Sequence, residues 1–211
     1  MPDIESAAEK PNRMARRRLK TRQQLLDAAV ALVIEKGFDD TNTDEITDAA
    51  DVGRRTFYNH FDNKRDCILA AVKERFRDYA AKAASPAERQ LDPAQALTNT
   101  AIEVFNQIVG DPVTRQLIDY PRLLAEAVAE SQREFLIQDF IEGLSQGRFK
   151  PYNALDVMQP VLLWGFVGLV IETISQDRGE GQGAAWARFI LYNLGIDPLE
   201  IEQLLQSAVS T

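Results

Sequence analysis

Residues 21–67 constrain this chain more than any other stretch, because they hold three short helical segments with only Asp51, Val52 and Gly53 between the second and the third. Leu25, Leu26, Ala29, Leu32 and Val33 recur at the spacing of one helical face, and Lys36-Gly37 ends that helix because glycine takes the left-handed backbone that closes one. Thr43 stands where an N-cap belongs. Asp44 and Glu45 follow in the first turn, where the partial positive charge of a helix start favours carboxylates. Ile46, Ala49 and Ala50 form the buried side of this second helix. The third carries Thr56, Phe57, Tyr58, Asn59, His60 and Phe61, and two helices across so tight a turn form a helix-turn-helix.

With Val52, Phe57 and Phe61 pointing inward, the helical period leaves Arg54, Arg55, Thr56, Tyr58, Asn59 and His60 on the other side. That is a face of donors suited to phosphates and base edges. It demands that Asp39, Asp40, Asp44, Glu45 and Asp48 turn mostly away, or they would repel the same phosphates. The net charge of −8 argues against nucleic acid, but its distribution reverses the inference. From residue 10 to 36 there are eight basic residues against the two acids Asp27 and Glu35, a local balance of +6. An acidic body with a basic end steers one face toward DNA and discourages nonspecific wrapping.

These residues resemble the tetracycline-repressor (TetR) family of transcriptional regulators. Gly37-Phe38, the Thr41–Thr43 lead, the run Ile46-Thr47-Asp48-Ala49-Ala50-Asp51-Val52-Gly53 and Tyr58-Asn59-His60-Phe61 match the family's spaced elements in one reading frame. Asn63-Lys64 fits the capped start of a long fourth helix, with Asp66 completing a capping box. The match covers roughly the first third of the chain; the remainder agrees only in helical character and length. Asp51 replaces the usual turn glycine, and Asp is among the few other residues that tolerate a left-handed backbone. Gly53 replaces a serine, which keeps an acceptable N-cap but removes a hydroxyl. Thr47 replaces an alanine, and its hydroxyl is expected to bond back to its own helix.

The resemblance implies an all-α protein with an N-terminal three-helix helix-turn-helix DNA-binding domain and a C-terminal helical ligand-binding and dimerisation domain. It assigns Arg54, Arg55, Thr56 and Asn59 to base edges or nearby phosphates. Tyr58, His60 and Lys64 become phosphate anchors, with Thr41 and Thr43 at the entry to the preceding helix. Arg17 and Arg18 lie in a basic run that either tracks DNA or is simply solvated. The implied function is that of a homodimeric regulator, a repressor by the family's usual behaviour, on a two-fold symmetric double-stranded operator. Its recognition helices would sit about 34–36 Å apart, and a small-molecule effector would release it. The competing reading is a dimeric helical ligand-binding or interaction protein whose motif, altered at Asp51 and Gly53, no longer reads DNA.

Along the chain we expect a flexible arm at residues 1–15, the DNA-binding domain at 16–66 and the regulatory domain at 67–211. Helices are expected at 64–84, 93–110, 112–120, 121–129, 131–146, 154–176 and 184–194, set apart by prolines, glycines and polar residues. Ser85-Pro86 should break the first of these. The helix at 154–176 is apolar nearly all round and must be covered on several faces. With the helix at 184–194 it is expected to build a homodimer bundle through Phe166, Leu169, Trp186, Phe189 and Ile190, Gly165 and Gly168 allowing close approach. Phe105, Tyr120, Leu124, Phe135 and Trp164 are the candidates for a ligand cavity, although residues of this kind are more often plain core. Arg115, Arg122 and Glu126 would orient a polar group if they face inward.

Cys67 is the only cysteine, so no intrachain disulfide is possible, and a reducing cytoplasm is the expected compartment. The most apolar run, residues 161–171, is shorter than the ~18 residues that suggest a bilayer span, so no membrane association is expected. His60 is the only histidine, which leaves no His-based metal cluster. A Cys67–His60 nucleophilic pair lacks a third orienting group, and no acid–base pair supports an enzyme. No cofactor is expected.

Overall fold

The computed structural model describes residues 13–84, 92–179 and 181–209, with the backbone alone at 132–139 and 209. Among these residues the chain forms ten helices and no strand. It divides into two compact units between Ile68 and Leu69, two residues later than the sequence placed the boundary.

The N-terminal unit holds α1 (Arg13–Lys36), α2 (Thr43–Ala49), α3 (Arg54–Tyr58) and the first turn of α4 (Lys64–Ala83). Helix α1 takes in Arg13 to Ala15, three residues of the expected arm; the rest of that arm lies outside the described residues. Gly37 closes α1 at φ 90°, its N–H donating to Val33 O. The cap of α2 is Asn42 rather than Thr43. The Asn42 side chain accepts from the Glu45 N–H, and the Glu45 carboxylate accepts from the Asn42 N–H at 3.2 Å. That reciprocal box satisfies two donors where a threonine cap would satisfy one. Thr47 Oγ1 donates back to Asp44 O at 2.8 Å. Asp51 adopts φ 53°, and Gly53 caps α3 without a side-chain bond.

Helix α3 has five residues, too few to persist by hydrogen bonding alone. Packing holds it: Phe57 is fully buried and Phe61 nearly so, their rings 5.8 Å apart, among Leu25, Leu26, Ala29, Ile46, Cys67 and Ile68. Val52 is half-buried. Cys67 lies wholly inside this core, its Sγ 3.7 Å from Leu25 O, and burial pushes the thiol up to about 12.

The C-terminal unit contains the rest of α4, then α5 (Pro93–Gly110), α6 (Pro112–Arg115), α7 (Pro121–Ser145), α8 (Leu155–Ser175), α9 (Gln182–Asn193) and α10 (Pro198–Val209). Helix α6 is shorter than the 112–120 expected. The helices expected at 121–129 and 131–146 are one, α7, since Glu130 continues the helix and has no reason to stop it. The expected break at Ser85-Pro86 lies outside the described residues. The most extensive packing is α9 on α5. Gly183 permits it, because a Cβ there would stand 2.8 Å from Asn106 Oδ1 and 3.2 Å from Ile102 O. Arg148 ties the loop after α7 to both Asp92, at 2.7 Å, and Glu200. Asp111 is almost fully buried and joins three elements. It caps α6 through the Val113 N–H at 2.9 Å, accepts from Arg75 Nε at 2.9 Å and accepts from the Tyr79 hydroxyl. Burial and then that last bond push the Tyr79 phenol up to about 12.

Helix α8, longer than the run of 161–171, is by length and composition able to cross a membrane, the only such helix among the described residues. Its Met158, Phe166, Val167, Val170 and Ile174 are buried against the unit's own helices.

Candidate nucleic-acid interface

Burying Phe57 and Phe61 fixes which side of α3 meets solvent. Arg54, Arg55, Tyr58 and Asn59 are exposed there, and Thr56 and His60 are half-buried. Tyr58 is 55% exposed and packs edge-on against Phe57 at 5.4 Å, which anchors its ring. The Arg55 side chain has no partner among the described residues. Arg17 and Arg18 lie exposed on the first turns of α1. Arg22, lower on the same helix, places its guanidinium 5.6 Å from the Phe61 ring centre. Burial, then the nearby charges of Arg18 and Arg22, hold the His60 imidazole below its ordinary value. At neutral pH His60 is therefore a neutral donor rather than a cation.

Of the acids expected to turn mostly away, Asp44 stays beside α3. Asp44 receives Nε and Nη2 of Arg54 on its two oxygens, and this contact raises the guanidinium's pKa further. Glu45 is drawn to Lys36, whose hydrogen bond lowers the carboxyl's pKa.

Two of the expected contacts are corrected. Thr41 is fully buried, its hydroxyl donating to Gly37 O at 2.8 Å, so it shapes the α1–α2 connection and does not meet a ligand. Lys64 donates to Phe38 O, Asp39 O and Thr41 O at 2.9, 2.9 and 2.8 Å, with its ammonium 5.0 Å from the Phe38 ring centre. All of an ammonium's donors are thereby spent. Lys64 is a staple that holds the loop before α2, and it has no N–H left for a phosphate. Thr43 remains half-exposed at the start of α2. The Asn63 side-chain Oδ1 accepts from the Asp66 N–H at 3.0 Å, but the second bond of the box runs between the two side chains at 2.9 Å.

Sequence reasoning missed the Asn42 cap, the Lys64 staple and the Asp44–Arg54 fork. The Asn42-x-x-Glu45 spacing was a signal for the first; contacts reached over 23 to 26 residues, as by Lys64, leave no local signal.

In the C-terminal unit, Leu124 lines an apolar seam with Phe76, Ile108, Val128, Phe166, Val167 and Val170 that is too narrow for a water. Phe105 is buried in the core, edge-on to Phe166 at 5.7 Å, and Tyr120 is half-buried. The Phe135 side chain lies outside the described residues. Trp164 is 49% exposed and does not line the seam. Arg115 and Arg122 are exposed, and Glu126 sits 3.9 Å from Lys73, so none of the three orients a group inward.

Of the expected dimer residues, Phe166, Trp186 and Ile190 are buried within the protomer and Leu169 is half-buried. Phe166 and Trp186 meet each other at 5.5 Å, so they fill the core that α8 and α9 share. The large apolar side chains left outward are Leu155, Val157, Val161 and Trp164 on α8, with Phe189 and Tyr192 on α9. Gly165 lies against the Trp186 ring, and Gly168 is open. A shallow groove of about 140 Å³ runs between Val157, Met158, Val161, Leu162 and Phe189.

Residues 25–71 match the sequence model of the bacterial regulatory proteins, tetR family. The chain is 32% identical over 100 residues to the probable HTH-type transcriptional regulator ArpR of Pseudomonas putida, covering 46% of this chain and 47% of that one. It thus spans about half the length of the curated relatives it matches with the highest identity. Over 170 residues it is 28% identical to the probable acrEF/envCD operon repressor of Escherichia coli (strain K12), covering 72% and 75% of the two chains. The fold is that of RolR, solved with resorcinol, at a TM-score of 0.71 and 22% identity over 90% of this chain and 95% of that one. It is also that of the transcriptional regulator FadR from Bacillus subtilis, solved with stearoyl-CoA, at 0.61 and 19% over 83% and 99%. The helix-turn-helix motif, the all-helical architecture and these likenesses agree: residues 25–71 match the N-terminal domain of the tetR family of bacterial regulatory proteins, and the chain shares the fold of the solved regulators.

Proposed function

We propose that the chain is a DNA-binding transcriptional regulator that acts as a homodimeric repressor on a palindromic operator. The observation that carries this reading is the outward face of α3, where Arg55, Tyr58 and Asn59 stand exposed on a helix pinned from behind by Phe57. An exposed cation, a phenol and an amide in that order are what backbone positioning and base readout use. Repression is supported by the Escherichia coli relative, a probable operon repressor. The dimer would form through the outward Val157, Val161 and Trp164 with Phe189 and Tyr192, since exposed large apolar side chains favour a partner over water.

Release would follow from a small apolar effector. RolR and the Bacillus FadR were solved with an aromatic diol and an acyl-CoA, and the seam beside Leu124 has only apolar walls. Because that seam is closed, an effector must favour a more open conformer, which is a population shift. Helix α4 runs unbroken from one unit into the other and is the element whose tilt would carry the shift. Incubating the protein with a randomised duplex library and sequencing what it retains tests the core of the reading. A palindromic consensus supports it, and an unenriched pool refutes it. A compound that raises the melting temperature yet leaves affinity for the consensus unchanged refutes the coupling alone.

A further inference from the structure

Arg54 and Arg55 are neighbours on α3, yet only Arg54 is held. Its Nε and Nη2 donate side-on to the two oxygens of Asp44, across the turn between α2 and α3, with 67% and 53% of the two side chains exposed. A pair so open to water adds little to stability. What it does is fix the guanidinium plane. With Nε–H and one Nη2–H taken, Nη1 and the second Nη2–H remain free on the far edge of the group. That end-on pair is still able to reach O6 and N7 of a guanine together. Arg54 is also the first residue of α3, and residues at that end of a recognition helix are the ones that meet base edges.

We infer that Asp44 is a positioning residue that aims Arg54 at a guanine in the major groove, an inference that rests on the DNA-binding reading above. The Asp44 carboxylate offsets the charge of Arg54, so the pair gives up phosphate attraction and gains base discrimination. The same contact has an opposite reading, a latch in which Asp44 withholds Arg54 from DNA, and the two diverge in experiment.

Wild type, Asp44→Asn and Arg54→Lys are each used to select from the same randomised duplex library. The enriched duplexes are then compared by competition against versions changed at single base pairs. The wild type should fix one guanine per half-site. Asp44→Asn and Arg54→Lys should each weaken the preference for that guanine by about tenfold and leave the other positions unchanged. Asp44→Asn in an Arg54→Ala background should change nothing. If Asp44→Asn binds every duplex more tightly and keeps the same guanine, the latch is right and the positioning role is overturned. If the wild type enriches a site insensitive to both single substitutions, this inference fails while DNA binding stands. If it enriches none, the DNA-binding reading fails and takes this one with it.

Discussion

On α3, polar side chains stand out from a small apolar core; on α8, apolar side chains stand out from a larger one. Phe57 and Tyr58 are adjacent, and their chemistry already separates them, one fully buried and the other 55% exposed. Trp164 and Phe166 are both large, apolar and two residues apart, and only packing separates them, at 49% and 6% exposed. Where function uses polar groups, residue type announces the role. Where function uses apolar groups, core and contact surface are written in the same residues.

The largest expected effects sharpen that contrast on α8. Phe166→Ala should cost roughly 3–5 kcal/mol in urea unfolding, as a buried ring lost from a packed core does, with dimerisation of the folded protein little changed. Trp164→Glu should do the reverse. Sedimentation should show the dimer weakened on the order of 30-fold or more, the scale of a central interface residue, with the melting temperature nearly unmoved. Equal losses of stability from both would mean that these outward side chains are not a contact surface.

Next in size is Lys64. Lys64→Met leaves the Phe38, Asp39 and Thr41 carbonyls without their ammonium partner. About 1.5–3 kcal/mol of stability should go with those charge-assisted bonds, while the salt dependence of DNA binding by the folded protein keeps its slope. A flattened slope in a protein of unchanged stability would restore Lys64 as a phosphate anchor. Arg55→Ala is its counterpart: stability should hold, and the slope of log affinity against log salt should fall by about 0.9, one phosphate's worth.

His60 gives the smallest effect. Its pKa lies below the ordinary value near 6.5, through burial first and then Arg18 and Arg22, so the unfolded chain protonates before the folded one as pH drops. The stability His60 contributes is therefore complete above about 6.5 and declines as pH falls below it. His60→Gln should flatten the acid-side decline in urea midpoints between about pH 7 and pH 5. A parallel decline in both proteins would assign it to other groups.

Much of the N-terminal unit was legible. Spacing gave the helices, the Gly37 stop and the burial of Phe57 and Phe61, because each depends on neighbours within a turn or two, while the left-handed Asp51 came from the resemblance, which sets it where a turn glycine is usual. The demand on the acids failed at Asp44, whose partner Arg54 is ten residues away. Lys64 and Thr41 were misassigned because a cation near a motif and a hydroxyl near a helix start look the same whether they serve a ligand or the protein's own carbonyls. In the C-terminal unit several helix positions were readable from prolines and glycines, but α10 was not expected at all, α6 stops at Arg115, and Glu130 was taken for a break. Which face of α8 is covered was not readable, since a helix apolar on nearly all sides has no period to reveal it.

The most direct measurement is an anisotropy titration of a selected duplex, across a range of salt, with the wild type and with a variant carrying alanine at Arg55, Tyr58 and Asn59. The wild type should bind that duplex far more tightly than a scrambled one, with affinity falling steeply as salt rises, and the folded variant should lose both the preference and most of the slope. Identical affinities and slopes for the two proteins would contradict the assignment of α3 as the surface that reads DNA.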